Sequence, residues 1–124
     1  MEHEDITEKI IGAAYKVYNT LGSGYLESVY EHCMLIELEK AGLQTESQKS
    51  IRVYYDGHIV GNFMADLIVE DCIIVELKVV YQLSKMHEAQ LVNYLVSTGK
   101  DIGLLINFGA EKVQIKRKVR VLEK

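Results

Sequence analysis

The sequence predicts an α/β domain, a mixed central sheet flanked by helices with elements in the order ααβββαββ. Three observations carry this. Apolar residues recur at helical spacing up to Leu38. From Ser47 the period falls to two on either side of Asp56-Gly57, a strong hairpin turn. The run Ile102-Gly-Leu-Leu-Ile-Asn107 is short and apolar up to Asn107, as expected of a strand buried on both faces, with a parallel neighbour reached across a helix.

The elements follow in order. Asp5-Ile-Thr-Glu8 has the form of a capping box, and Ile6, Ile10, Ala13, Ala14, Val17 and Leu21 follow until Gly22-Ser23-Gly24, placing a first helix at about residues 6–21. Leu26, Val29, Tyr30, Cys33, Met34 and Leu38 mark a second helix that ends at Gly42 and holds Glu27 in its first turn. Ile51–Tyr55 and His58–Val69 read as the arms of a hairpin, and a third strand is expected at about Ile73–Val79. Between Leu83 and Thr98 a third helix carries Met86, Ala89, Gln90, Asn93, Tyr94 and Ser97 on one stripe, with Leu91, Val92 and Leu95 as its apolar face, and Gly99 ends it. After the strand 102–107, Val113–Val121 alternates as a one-sided edge strand.

With 124 residues, 48% hydrophobic and 26% charged, nine Gly and no Pro, the chain reads as one globular domain, not as a collagen-like, low-complexity or disordered segment. The net charge of −4 argues against a general electrostatic coat for nucleic acid or for an anionic membrane. That average hides a basic strip: residues 112–124 carry six bases and one acid. Two cysteines, Cys33 and Cys72, and no signal-peptide pattern at the acidic start lead to the expectation of a reducing cytoplasm. The longest nearly apolar runs, Cys72–Val75 and Ile102–Phe108, fall far short of the ~20 residues of a membrane span, so no membrane partner is expected.

The chemistry concentrates at Asp66 and Glu76-Leu77-Lys78. Residues 76 and 78 share a face of an extended strand, and charges inside an apolar strand normally pair with one another or bind a metal. A structural Glu–Lys pair therefore stands beside the metal reading. Register separates the possibilities. Asp66 faces Glu76 if Glu70-Asp71-Cys72 forms the loop, with 69 opposite 73; a two-residue turn would send the carboxylates to opposite faces, so the metal reading requires the longer loop or a β-bulge near the site. Clustered carboxylates beside a Lys suit Mg²⁺ or Mn²⁺, and with them phosphodiester hydrolysis. Cys33, Cys72, His32 and His87 show no zinc-ligand spacing.

Asp66…Glu76-Leu-Lys78 resembles the D…(D/E)-x-K signature of the PD-(D/E)XK nuclease superfamily, and Gly24-Tyr-Leu-Glu27-Ser-Val-Tyr30 resembles the motif that names the GxxExxY proteins. Tyr55–Gly61, Ala65–Val69, His87–Gln90 with Tyr94, and Leu104–Gly109 look like the same family, so the resemblance covers nearly the entire chain. It implies a restriction-endonuclease-like fold and a metal-dependent nuclease acting on nucleic acid, DNA first. Asp66 and Glu76 would be metal ligands, Lys78 would position the attacking water, and Glu27 would reach the metal from the second helix. Gln90 and Tyr94 match the Q-x-x-x-Y element beside the catalytic strands of exonuclease-like branches. The residue before Asp66 is Ala65 where the superfamily name has Pro.

The residues themselves leave alternatives. Glu27 and Tyr30 share a helix face, and a bland reading makes Glu27 a helix-start acid and Tyr30 a core residue. Gln90 and Tyr94 at i, i+4 could serve only to satisfy buried hydrogen bonds. His87 could bond a carboxylate or lie on a solvated face. Lys116, Lys118 and Arg120 project together on an alternating strand, either as a phosphate-binding strip or as a solvated edge. Two further readings remain: a non-catalytic nucleic-acid- or protein-binding member of the fold, and a homo-oligomer in which Cys72–Val75 and Leu104–Ile106 form an interface.

Overall fold

A computed structural model describes residues 3–120. The elements are α1 (Glu4–Leu21), α2 (Glu27–Lys40), β1 (Thr45–Tyr55), β2 (His58–Val69), β3 (Ile73–Lys78), α3 (Lys85–Thr98), β4 (Ile102–Asn107) and β5 (Gln114–Val119). The order is the one the sequence predicts. The sheet runs β1-β2-β3-β4-β5, antiparallel except for the β3–β4 pair, which is parallel as a crossover through α3 requires.

Helices α1 and α2 cover one face of the sheet, packing Ile10, Val17, Tyr30, Met34 and Leu38 onto Leu67, Val75, Leu77, Leu104 and Ile106. Helix α3 covers the other face with Leu91 and Leu95 against Ile68, Ile74 and Leu105. Strand β4 is therefore buried along its whole length. Ile73–Val75 and Leu104–Ile106 are consumed by this core, which removes the reading of those runs as an intermolecular interface.

Several local expectations give way. Helix α1 starts at Glu4 with His3 in the N-cap position and no side-chain cap, so Asp5 and Glu8 form no capping box. Asp5 instead lies within the first turn, where its charge meets the positive end of the helix dipole. Leu26 caps α2 from outside the core and is 77% exposed. His87 closes a capping box with Ser84, accepting the Ser84 N–H at Nδ1 (3.1 Å), so its observed bond is to the start of α3 and not to a carboxylate. The apolar face expected of α3 does hold: Leu91 and Leu95 are buried, Val92 is half-buried, and Met86, Gln90 and Asn93 on the other stripe are exposed. Strand β5 ends at Val119; Val121 and Lys124 lie outside the described residues.

The β2–β3 hairpin takes the register that brings Asp66 and Glu76 level. Val69 pairs with Ile73, Ile68 with Ile74 and Leu67 with Val75. The loop is Glu70-Asp71-Cys72, with Glu70 and Asp71 at positive φ (53° and 55°) and the Cys72 N–H donating to the Val69 carbonyl at 3.0 Å.

Candidate active site

Beyond the Leu67–Val75 pair the β2–β3 ladder stops, and side chains take over from backbone. The Asp66 N–H donates to Glu76 Oε2 at 3.2 Å, and the Leu77 N–H donates to Asp66 Oδ2 at 2.8 Å. Each carboxylate thus reaches across the divergence to a backbone amide of the opposite strand. Glu76 is only 7% exposed and Asp66 is half-buried. Burial first, and then the charge of Asp66, push the Glu76 carboxyl up to about 8, with the Asp66 N–H and Lys78 pulling the other way.

Lys78 closes β3, half-buried, and has no ion-pair partner among the described residues. The structural Glu76–Lys78 pair is therefore not formed; Glu76 bonds to Asp66 instead. Lys78 still acts through space on both Glu76 and Glu27.

Glu27 starts α2. Partial desolvation of its carboxyl and then the Asp66 charge raise its pKa, partly offset by Lys78. Its position follows from Tyr30. That ring is fully buried and stacked on Phe108 (centroids 4.5 Å apart, 9° between planes), and its hydroxyl donates to the Gly22 carbonyl (2.5 Å) and accepts the Tyr25 N–H (3.3 Å). Tyr30 is thus the anchor of the α1–α2 turn. Gly24 in that turn sits at φ 114°, a region open to glycine and closed to other residues.

From the other face, Tyr94 on α3 stacks on Phe63 of β2 at 3.4 Å between ring centroids. Its hydroxyl pKa is raised by burial and then by the charges of Glu76 and Asp66. Gln90, one turn earlier, is exposed and lines with Tyr94, Val53 and Tyr54 a groove of about 620 Å³. Sequence reading did not single out Phe63, Gln48 or Glu31; no local pattern marks them. Gln48 of β1 donates from Nε2 to Asp66 Oδ1 (3.3 Å) and to Glu31 Oε1 on α2 (3.0 Å).

Among the described residues no group of three or more His, Cys, Asp or Glu side chains converges as a ready-made metal site. Asp66 and Glu76 meet, and Glu27 stands back from them, linked by charge. The donors fit a hard divalent cation in kind: all are oxygens, and the buried cluster is short of positive charge. The basic strip is divided. Lys118 is paired with Glu88 (2.9 Å) and Arg120 with Asp101 (2.7 Å), which leaves Lys116 as the exposed cation of the three.

A mixed sheet with helices on both faces, whose two central strands part around a pair of carboxylates with a lysine two residues on, defines the PD-(D/E)XK nuclease class of fold. Residues 4–118 match the profile of the PD-(D/E)XK nuclease superfamily, and the chain belongs to that superfamily. Its members typically depend on divalent metal and act on nucleic acid. No curated protein matches the chain. Among solved structures it is similar to one titled "Crystal structure of SSO0001", with a TM-score of 0.59 and 14% identity over 98% of this chain, which establishes the fold alone. The chain spans 61% of that structure's length. Among the described residues no helix is long and apolar enough to cross a membrane.

Proposed function

We propose that this protein is a Mg²⁺- or Mn²⁺-dependent nuclease that hydrolyses phosphodiester bonds of DNA, and that it is a member of the GxxExxY branch. The observation that carries this reading is the meeting of Asp66 and Glu76 where β2 and β3 part, with Lys78 nearby and in no ion pair among the described residues. Asp66 and Glu76 would hold the cation, with Glu27 approaching from the α2 side. When bound, such a cation neutralises phosphate charge and makes a bound water more acidic.

The chain's own residues supply the rest. The Lys78 ammonium orients the attacking water and stabilises charge that develops on the phosphate oxygens. Phe63 holds the Tyr94 ring against the cluster, so the α3 wall is rigid where substrate would enter. Exposed Gln90 and Lys116 offer a hydrogen-bonding group and a positive charge to a backbone lying over this face.

A non-catalytic binding role has one observation in its favour: both carboxylates are already engaged by amides of the facing strand. Cleavage of single- and double-stranded DNA and RNA with Mg²⁺, Mn²⁺ or EDTA separates the two. The expected result is metal-dependent cleavage by the parent that Asp66→Ala and Lys78→Ala each abolish. No metal-dependent cleavage by the parent, or cleavage by both variants equal to the parent's, refutes the enzyme.

A further inference from the structure

Strands β1 and β2 hold one register across the site, Ser47 opposite Leu67 and Lys49 opposite Ala65, so no residue is inserted in either strand. Yet the faces change. Leu67 and Val69 pack under α1 and α2 and Ile68 under α3, as strict alternation demands, but Ala65 also packs under α3. On β1, Ile51 packs on the α3 side opposite Phe63. Both strands therefore slip by one side-chain position at the level of Gln48 and Asp66.

The slip has a visible origin on β1. Gln48 stands at φ 52° inside a strand, in a left-handed region that is strained for any residue with a Cβ. The Gln48–Asp66 pair is the one missing from the ladder between Glu46–Ile68 and Arg52–Asn62. Strain of this kind persists where the surroundings over-determine it. Here the surroundings are two carboxylates: with Glu31 Oε1 and Asp66 Oδ1 as neighbours, only the NH₂ end of the Gln48 amide satisfies both.

We infer that Gln48 is a positioning residue, whose left-handed backbone aims its amide between Glu31 of α2 and Asp66 of β2 and so fixes the Asp66 carboxylate and ties it to the helix that carries Glu27. One Asp66 oxygen takes the Gln48 amide and the other takes the Leu77 N–H, so the carboxylate is held at both ends across three strands. The inference deepens the nuclease reading and rests on it for its effect on cleavage, but the positioning itself is measurable without metal.

The test uses Gln48→Gly, which removes the amide and accepts the left-handed backbone, and Gln48→Asn, which also tolerates that region but is one carbon shorter. Amide hydrogen exchange in EDTA reads the Leu77 N–H that Asp66 holds. The expected result for Gln48→Gly is exchange at Leu77 roughly tenfold faster, with Tm unchanged or raised and exchange at Leu105 in β4 unchanged. With metal, half-maximal cleavage should need roughly tenfold more Mn²⁺, and Gln48→Asn should fall between parent and Gln48→Gly. Unchanged exchange at Leu77 in Gln48→Gly, or in Gln48→Asn if the glycine variant does not fold, overturns the inference. A parent that cuts nothing refutes the nuclease reading and leaves the exchange result to decide the role of Gln48.

Discussion

Asp66 and Glu76 exchange partners across the parting strands: Glu76 takes the amide of Asp66, and Asp66 takes the amide next to Glu76, at Leu77. Two acidic side chains thereby replace a rung of backbone ladder. Burial and the facing carboxylate raise the Glu76 carboxyl to about 8, which limits the negative charge the pair holds when no cation is bound.

Metal-free stability should therefore fall as pH rises. The fold raises the Glu76 carboxyl from 4.5 to about 8, so between these values the folded chain binds a proton that the unfolded chain releases. The contribution is full below the unfolded value and lost as pH rises through the folded one, and amounts to something on the order of a few kcal/mol. Thermal melts in EDTA from about pH 5 to pH 9 check this; Glu76→Gln, which keeps the shape without the titration, should flatten most of the slope.

Asn107 and Gly109 should prove structural supports of Lys78. The buried Asn107 side chain receives the N–H groups of Val80 and Gly109 (both 2.9 Å) and donates to the Val80 carbonyl (2.8 Å), gripping the chain two residues after Lys78. A Cβ on Gly109 would lie 2.5 Å from both the Val80 nitrogen and oxygen. Asn107→Ala should cost about 2–4 kcal/mol through the orphaned backbone groups, and Gly109→Ala at least about 2 kcal/mol through backbone displacement, as read by urea denaturation.

Tyr30→Phe should keep the stack on Phe108 and lose the hydroxyl bonds to Gly22 and Tyr25. We expect a loss of about 1 kcal/mol in urea denaturation and, in an active enzyme, a fall in cleavage rate, because the turn that starts α2 at Glu27 is loosened. Equal stability of variant and parent would show that the hydroxyl does not hold the turn.

Among the three cations that alternation groups on β5, Lys116 should matter most for nucleic acid. Lys118 and Arg120 are engaged by Glu88 and Asp101. Lys116→Gln should weaken DNA binding and lower the slope of log affinity against log salt by roughly one, whereas Arg120→Gln should alter that slope less. Titrations at several salt concentrations distinguish the two.

Periodicity, punctuated by turn residues such as Asp56-Gly57 and Gly99, made the elements legible, since burial on one face leaves its period in the residue pattern, as at Ile51 and at Leu91 with Leu95. The hairpin register was legible as a condition: a loop of Glu70-Asp71-Cys72 brings Asp66 to Glu76, and that loop is the one present. The capping box at Asp5 failed because a helix start depends on backbone geometry that Glu4 also satisfies.

By itself, the sequence determined the ααβββαββ order, the two-sided burial of 102–107 and the carriers of charge at Asp66, Glu76 and Lys78, because each is a matter of local pattern. Tertiary structure alone decided three things: that Glu76 bonds to Asp66 and not to Lys78, that β1 and β2 change faces at Gln48, and that Lys118 and Arg120 are claimed by Glu88 and Asp101. Each depends on groups far apart in the chain competing for the same partner, and the energy of such a competition is set by distance and burial, which no spacing of residues encodes.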